Sequence, residues 1–456
     1  MLELGQIMHS GPPFSREEYL RRQSALLAQF DPSTILLVPT NPSMRRSHDV
    51  NFPFRASSNI LYLTGWSEPD ALFAAWHDAG KWVTALFVRD NDEAAERWEG
   101  RRAGVQGALE NWPVDHAFAY PTRIETIRTI LEKRTTVALI QGFDPVLDDL
   151  VIGLIAERNR DKTVTGRGPS TLTDPNNKLA ELRLRKSDSE IQMMQKSASI
   201  ASEAHQLAMK ETSGATSESK IQSIVEAVFT SNNSQCSYGS IVAGGDNATI
   251  LHYHSNSEDI EYGDLVLIDA GCEVNGYASD ITRTWPVSGK FSNSQKEIYH
   301  IVLKAQEAAI SKCRAGNSWS DPHRAAMEVI SNGLIDLGIL NCSFEDAMGE
   351  DLNGEARQFF MHGTSHSLGL DVHDVGITRP NGEGPGRNLE SGMVLTVEPG
   401  LYFPLWTDDG GAPERYRGIG IRIEDDVLIT EDEPFVLTAS CPKTVEDIEA
   451  IIGSGV

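Results

Sequence analysis

The stretch from Leu265 to Pro286, LVLIDAGCEVNGYASDITRTWP, constrains the fold of this chain more than any other. At its centre Asn275-Gly276 separates two apolar runs. A two-residue hairpin loop of type I′ needs positive φ at both positions, which Asn and Gly supply at least cost. With those residues as the turn, Val274 faces Tyr277 and Asp269 faces Thr282. Strand side chains alternate faces, so Asp280 shares the face of Thr282 and becomes a diagonal neighbour of Asp269, with Cβ atoms within about 7–8 Å. Two carboxylates so placed can grip metal ions about 3.5–4 Å apart. The plainer reading is a hairpin with two solvated acids.

A chain of 456 residues is too long for one core, so two domains are expected. Capping boxes at Ser15/Glu18 and Ser187/Glu190 mark helix starts on either side of a stretch rich in Gly, Pro, Thr and Asn, residues 161–178. The boundary is placed there, giving a smaller mixed α/β domain over 1–174 and a larger α/β (α+β) domain over 175–456. In the first domain ILLVP, NILYLTG, ALFAAW and WVTALFV read as strands. Asp321 as N-cap and Pro322 as first helical residue open a later helix closed by Gly338. In the second domain the order helix, helix, strands occurs twice, a hint of internal duplication.

The formal charge of -25 argues against nucleic acid or an anionic membrane surface as partner. No apolar run of about 18 residues exists to span a membrane, and MLELGQIMHS lacks the segments of a signal peptide. Five scattered cysteines without a CxxC pair point to free thiols in a cytoplasmic setting.

Ligand-type residues concentrate in four further segments: ILHYHS with His252 and His254; FFMHGTSHSLGLDVHDVG with His362, His366 and His373; MVLTVEPGLYF with Glu398; and GIGIRIEDDVLIT with Arg422 and Glu424. Glu398 ends a buried-strand pattern, where a carboxylate costs several kcal/mol unless paired or bound to metal. Glu424 is in the same position, and Arg422, two residues away on the same strand face, could simply pair with it. His48, His77, His205 and His300 read as ordinary core or surface residues. Four acids and one imidazole would balance two divalent cations, with Mn2+ first and Zn2+, Co2+ or Fe2+ possible.

Asp269, Asp280, His366, Glu398 and Glu424, in that order, resemble the metal site of the pita-bread metallopeptidases, and the chain resembles the aminopeptidase P family within them. The similarity covers nearly the whole chain, including FPFRASSNILYLTGWSEPDA, WEGRRAG, LVLIDAG, GYASDITRTWPV, FFMHGTSHSLGLDVHDVG, TVEPGLY and YRGIGIRIEDD. The resemblance implies a pita-bread catalytic domain preceded by a domain serving oligomerisation and substrate access. It implies that Asp269 chelates one of two divalent metals, that Asp280 and Glu424 bridge both, and that His366 and Glu398 hold the second. Glu398 would also shuttle a proton. His252, His362 and His373 would line the substrate site, with His362 hydrogen-bonded to the developing oxyanion, and Arg422 would brace the bridging glutamate. Trp98 matches a tryptophan that reaches a neighbouring active site in tetrameric members; its plainer reading is a partly buried aromatic at a helix end.

The activity so implied is release of the N-terminal residue from peptides with proline second, in a homodimer or homotetramer. A prolyl peptide bond has no N–H and a fixed φ, which excludes it from clefts built for ordinary extended backbones. A dipeptidase of the same fold is the near alternative; Gly384 stands where some prolidases carry an arginine for the dipeptide carboxylate. A non-catalytic binding module on this fold would lack ligands, and all five are here.

Overall fold

A computed structural model describes residues 11–161, 165–214, 217–382, 384–407 and 411–454. The chain divides into two compact units, Met1–Arg183 and Leu184–Val456. The division falls after Arg183, beyond the Gly- and Pro-rich stretch, because helix Asn176–Leu184 is tied to the first unit. The Tyr62 hydroxyl donates to the Leu182 carbonyl at 3.3 Å and Arg183 donates to Asn59 at 2.8 Å.

In the first unit six strands form one mixed sheet, in the order His116–Ala119, Lys81–Val88, Leu72–Asp78, Thr34–Pro39, Thr136–Leu139, Thr171–Thr173. Leu72–Asp78 and Lys81–Val88 are joined across Ala79 and Gly80, both at positive φ. Ile35, Leu37, Ala74, Phe87 and Val137 fill its core against helices Arg123–Leu131 and Pro145–Asp161. One expected strand is absent: NILYLTG forms helix Ser58–Thr64. Short apolar runs fit either state. Here Gly65, at φ 71, ends a helical turn by donating to Leu61 O, which a strand could not use.

The second unit opens with helix Asp188–Glu211, whose capping box is complete: the Ser187 hydroxyl accepts from Glu190 N and the Glu190 carboxylate from Ser187 N. At Ser15 the hydroxyl accepts from Glu18 N, while the Glu18 carboxylate engages Arg21 and Arg22. Helix Glu218–Ser231 and the strands to Pro286 follow, then helices Asn293–Ile310 and Asp321–Asp336 and the strands from Val394 onward. The last of these helices begins one residue earlier than expected, with Asp321 inside it and Ser320 flanking. Its core runs through both helix pairs and both strand groups, including Ile221, Val225, Trp285, Val302, Ile330, Leu395 and Ile421. Among the described residues no helix is long and apolar enough to cross a membrane.

Candidate active site

The hairpin pairs as its turn chemistry dictates, Val274 with Tyr277 and Asp269 with Thr282, and Asn275 and Gly276 take φ of 51° and 85°. Between its outer pairing (Leu265–Asp269 with Thr282–Pro286) and inner pairing (Cys272–Val274 with Tyr277–Ala278) the ladder is interrupted. Gly271 lies in this break, where a side chain would meet Ser279 O at 1.8 Å. Asp269 ends the outer strand at this interruption and Asp280 lies within it.

The same device occurs near the C-terminus. Strand Val394–Val397 pairs with Asp425–Leu428, and Gly400–Phe403 pairs with Ile419–Arg422. Val397 opposite Asp425 and Gly400 opposite Arg422 belong to one register, so Glu398 and Glu424 come opposite each other in the gap. Glu424 is therefore not on one continuous strand with Arg422, as its spacing suggested; it lies between two strands, with its N–H donating to Thr282 O at 3.0 Å. A buried cation braces this turn. Arg283 donates to Asp425 Oδ1 at 2.7 Å and to the Glu424 carbonyl, while Lys443 and Gln306 donate to Asp425 Oδ2 at 2.7 Å. Burial opposes ionisation of Asp425, but Arg283 and Lys443 outweigh it and hold the pKa at about 2.

The two interruptions face one cavity of about 490 Å³, which Asp269, Asp280, His362, His366, Glu398, Arg422 and Glu424 line. His366 Nε2 lies 3.5 Å from Asp280 and 3.6 Å from Glu398. Burial opposes protonation of His366, yet those two acids lift its pKa to about 9. Burial also pushes Glu398 up to about 7. Burial and the neighbouring acids, Asp280 first, carry Glu424 well above the carboxylate range, and burial with Asp269 raises Asp280. Asp269 goes the other way: burial opposes it, but the Arg422 guanidinium at 2.7 Å keeps its pKa low.

Four carboxylates thus converge with one arginine and one imidazole. Asp280, His366 and Glu424 each offer a ligand atom within 4.8 Å of the others, and Asp269 and Glu398 face the same cavity outside that tighter group. An oxygen-rich set with one imidazole is the donor chemistry of hard or borderline divalent cations, so the residues fit them.

His252, His254 and His373 also line the cavity. His362 is tied on both sides. Arg422 donates to the Tyr402 hydroxyl at 3.0 Å, the Tyr402 O–H faces His362 Nε2 at 2.8 Å, and His362 Nδ1 faces Gly363 O at 2.7 Å. That network puts the single ring proton on Nδ1. Burial and Arg422 push the His362 pKa down to about 3, so the ring is neutral. In this arrangement its N–H is committed to Gly363, and donation to an oxyanion requires exchanging that bond. Trp98, on helix Glu93–Glu99 of the first unit, is 91% exposed, not partly buried.

Three polar residues escaped the sequence reading. Tyr238 places its hydroxyl 2.5 Å from both Asp269 and Asp280. Thr282 donates to Glu424 Oε2 at 2.6 Å, and Tyr402 links Arg422 to His362. For Thr282 the register offered a signal, since it is the cross-strand partner of Asp269. Tyr238 and Tyr402 carried none.

Residues 192–431 match a family model described as metallopeptidase family M24, and residues 19–139 match one described as aminopeptidase P, N-terminal domain. The Xaa-Pro aminopeptidase of Escherichia coli (strain K12) is 40% identical over 440 residues, 96% of this chain and 98% of that protein. The Xaa-Pro aminopeptidase 3 of Mus musculus is 35% identical over 456 residues, 96% of this chain and 86% of that protein. Among solved structures, zinc-substituted E. coli aminopeptidase P in complex with product is similar at TM-score 0.91 and 39% identity, covering 97% of this chain and 99% of that one. E. coli aminopeptidase P with the inhibitor Pro-Leu gives 0.90 at 40% identity, with coverage of 97% and 99%.

Proposed function

Since the chain belongs to metallopeptidase family M24, with an aminopeptidase P N-terminal domain ahead of its pita-bread catalytic unit, we propose that it releases the N-terminal residue from peptides whose second residue is proline. The observation that carries this reading is the meeting of Asp269, Asp280, His366, Glu398 and Glu424 at one cavity. In this reading those five would hold two divalent ions, Mn2+ before Zn2+, Co2+ or Fe2+; Asp269 would serve one, His366 and Glu398 the other, and Asp280 and Glu424 would serve both. When bound, such ions lower the pKa of a water and polarise the scissile carbonyl.

The protein's own groups do the rest. Glu398, facing the cavity 3.6 Å from His366, takes a proton from the attacking water. It returns that proton to the departing proline nitrogen, which cannot leave as an anion. Arg422 holds Asp269 ionised and, through the Thr282 hydroxyl it donates to at 3.1 Å, orients Glu424. His362 exchanges its bond to Gly363 for the carbonyl oxygen as charge develops there, and His252 and His373 wall the substrate.

Exposed Trp98 supports an oligomer, dimer or tetramer, in which a neighbour's tryptophan completes the substrate site. Free thiols at Cys236, Cys272, Cys313, Cys342 and Cys441 support a reducing cytoplasm. Gly384, without a side chain to clamp a dipeptide carboxylate, supports peptides longer than two residues.

The test is hydrolysis of Ala-Pro-Ala, Ala-Ala-Ala and Ala-Pro with and without chelator. Cleavage confined to the prolyl peptides, faster on the tripeptide, lost to chelator and restored by Mn2+, is expected. Equal rates on Ala-Ala-Ala, or indifference to chelator, overturns the reading.

A further inference from the structure

The short strand Gln235–Cys236 is the edge of a three-stranded sheet whose middle strand, Cys272–Val274, is the inner arm of the metal-site hairpin. In that pairing Cys236 stands directly opposite Cys272, and Gln235 opposite Glu273. Opposed residues of an antiparallel pair either exchange backbone hydrogen bonds, with Cα atoms about 5.5 Å apart, or do not, with Cα atoms about 4.5 Å apart and side chains closer.

The backbone decides which kind this pair is. Cys272 N–H donates to Ser279 Oγ at 3.2 Å, and the Cys272 carbonyl accepts from Ser279 N at 2.9 Å. Both groups therefore point to the returning arm of the hairpin, away from Cys236. The bond to the edge strand comes from the next pair along, where Ser237 N–H donates to the Gly271 carbonyl at 3.0 Å. Cys236 and Cys272 are thus a non-hydrogen-bonded pair on one face of the sheet. The separation of such a pair lies within the span of disulfide-linked Cα atoms, about 4.4–6.8 Å.

The two thiols also differ in access. Cys236 is exposed, while Cys272 is buried with its Sγ donating to the Ser197 carbonyl at 3.4 Å. Tyr238, two residues beyond Cys236, places its hydroxyl 2.5 Å from both Asp269 and Asp280. We propose that Cys236 and Cys272 are a reversible oxidation site, closing into a cross-strand disulfide that fastens the Tyr238 segment to the hairpin carrying Asp269 and Asp280. The inference is independent of the peptidase reading.

The oxidant is a small-molecule disulfide. The exposed Cys236 thiolate attacks one of its sulfurs and releases one thiol, leaving a mixed disulfide on Cys236. The Cys272 thiolate then attacks the Cys236 sulfur and releases the second thiol. Two cysteines are oxidised, one small disulfide is reduced to two thiols, and the two cysteine protons pass to the departing thiolates. Partial burial of its sulfur and the nearby Glu226 carboxylate raise the Cys236 thiol, so the exchange is run at about pH 8.5, where thiolate is less scarce.

The experiment incubates the full chain and Cys236→Ser with reduced or oxidised glutathione, traps remaining thiols by alkylation, and maps the peptides by mass. The oxidised full chain is expected to carry a bond between Cys236 and Cys272, with no glutathione retained on either. Its thermal unfolding should rise by roughly 5 °C or more, the scale of a disulfide closing a long loop. Dithiothreitol should reverse the rise, and Cys236→Ser should not show it. Cys236 left unmodified, capped by glutathione, or joined to a second chain overturns the proposal. A Cys236–Cys272 bond without a gain in unfolding temperature overturns the fastening.

Discussion

The Arg422 guanidinium donates to Asp269 at 2.7 Å, with only 4% and 14% of the two side chains exposed. This one pair sets the asymmetry of the site: of the cavity acids whose pKa shifts, Asp269 alone goes down, while Asp280, Glu398 and Glu424 go up. The same guanidinium reaches Tyr402 and Thr282, so it orders both ends of the carboxylate cluster.

Arg422→Lys keeps the charge but cannot hold three partners in a planar fork. A drop in kcat/KM of at least about tenfold, equivalent to about 1.4 kcal/mol, is expected with Mn2+ saturating. Unchanged steady-state kinetics would show that the charge alone suffices.

Asp280→Ala should abolish turnover and leave the chain folded. Asp280 is buried beside Asp269 and its pKa is raised, so its removal relieves repulsion in the metal-free protein. Thermal unfolding in chelator should therefore start no lower than in the parent. A lower unfolding temperature together with retained activity would reverse the assignment.

Metal uptake should release protons. At pH 7 the metal-free site keeps His366 protonated, with pKa about 9, and burial raises Glu398 to about 7, so it too holds a proton more readily than a free carboxylate. Ligation needs both in the deprotonated form. Affinity for Mn2+ should accordingly rise as pH increases from 6 to 9. Calorimetric titration in two buffers of different ionisation heat gives the proton count, and a count of zero at pH 7 would contradict it.

His205 is wholly buried, and its ring nitrogen Nε2 meets the Ala270 carbonyl at 3.0 Å, next to Asp269. Burial drives its pKa from 6.5 down to about 4. Between those values the unfolded chain binds a proton that the folded one refuses. Stability is therefore full above pH 6.5 and falls as pH drops toward 4, by about 3 kcal/mol in all. His205→Gln should flatten that part of the stability profile, measured by denaturant titration at pH 7 and pH 4.5. Equal slopes in the two proteins would exclude the effect.

The hairpin was legible because its information is local: an Asn-Gly turn and a two-residue alternation set which acids share a face. Glu398 and Glu424 stood out as acids in apolar runs; Glu398 follows directly on a buried strand, as its pattern implies, whereas Glu424, expected on one strand with Arg422, lies in a break between two. NILYLTG misled because a short apolar run fits a strand or a helical turn equally, and the cap at Gly65 decides.

The sequence by itself determined the turns, the caps and the identity of the groups able to bind metal, since these depend on residues a few positions apart. Only the tertiary structure decided what surrounds them. Thr282 meets Glu424 across 142 residues and Arg422 meets Asp269 across 153. Tyr238 and Tyr402 join the site in the same way. Such contacts depend on which strands pair after long loops close, and burial then makes each carboxylate's charge depend on neighbours that no local pattern names.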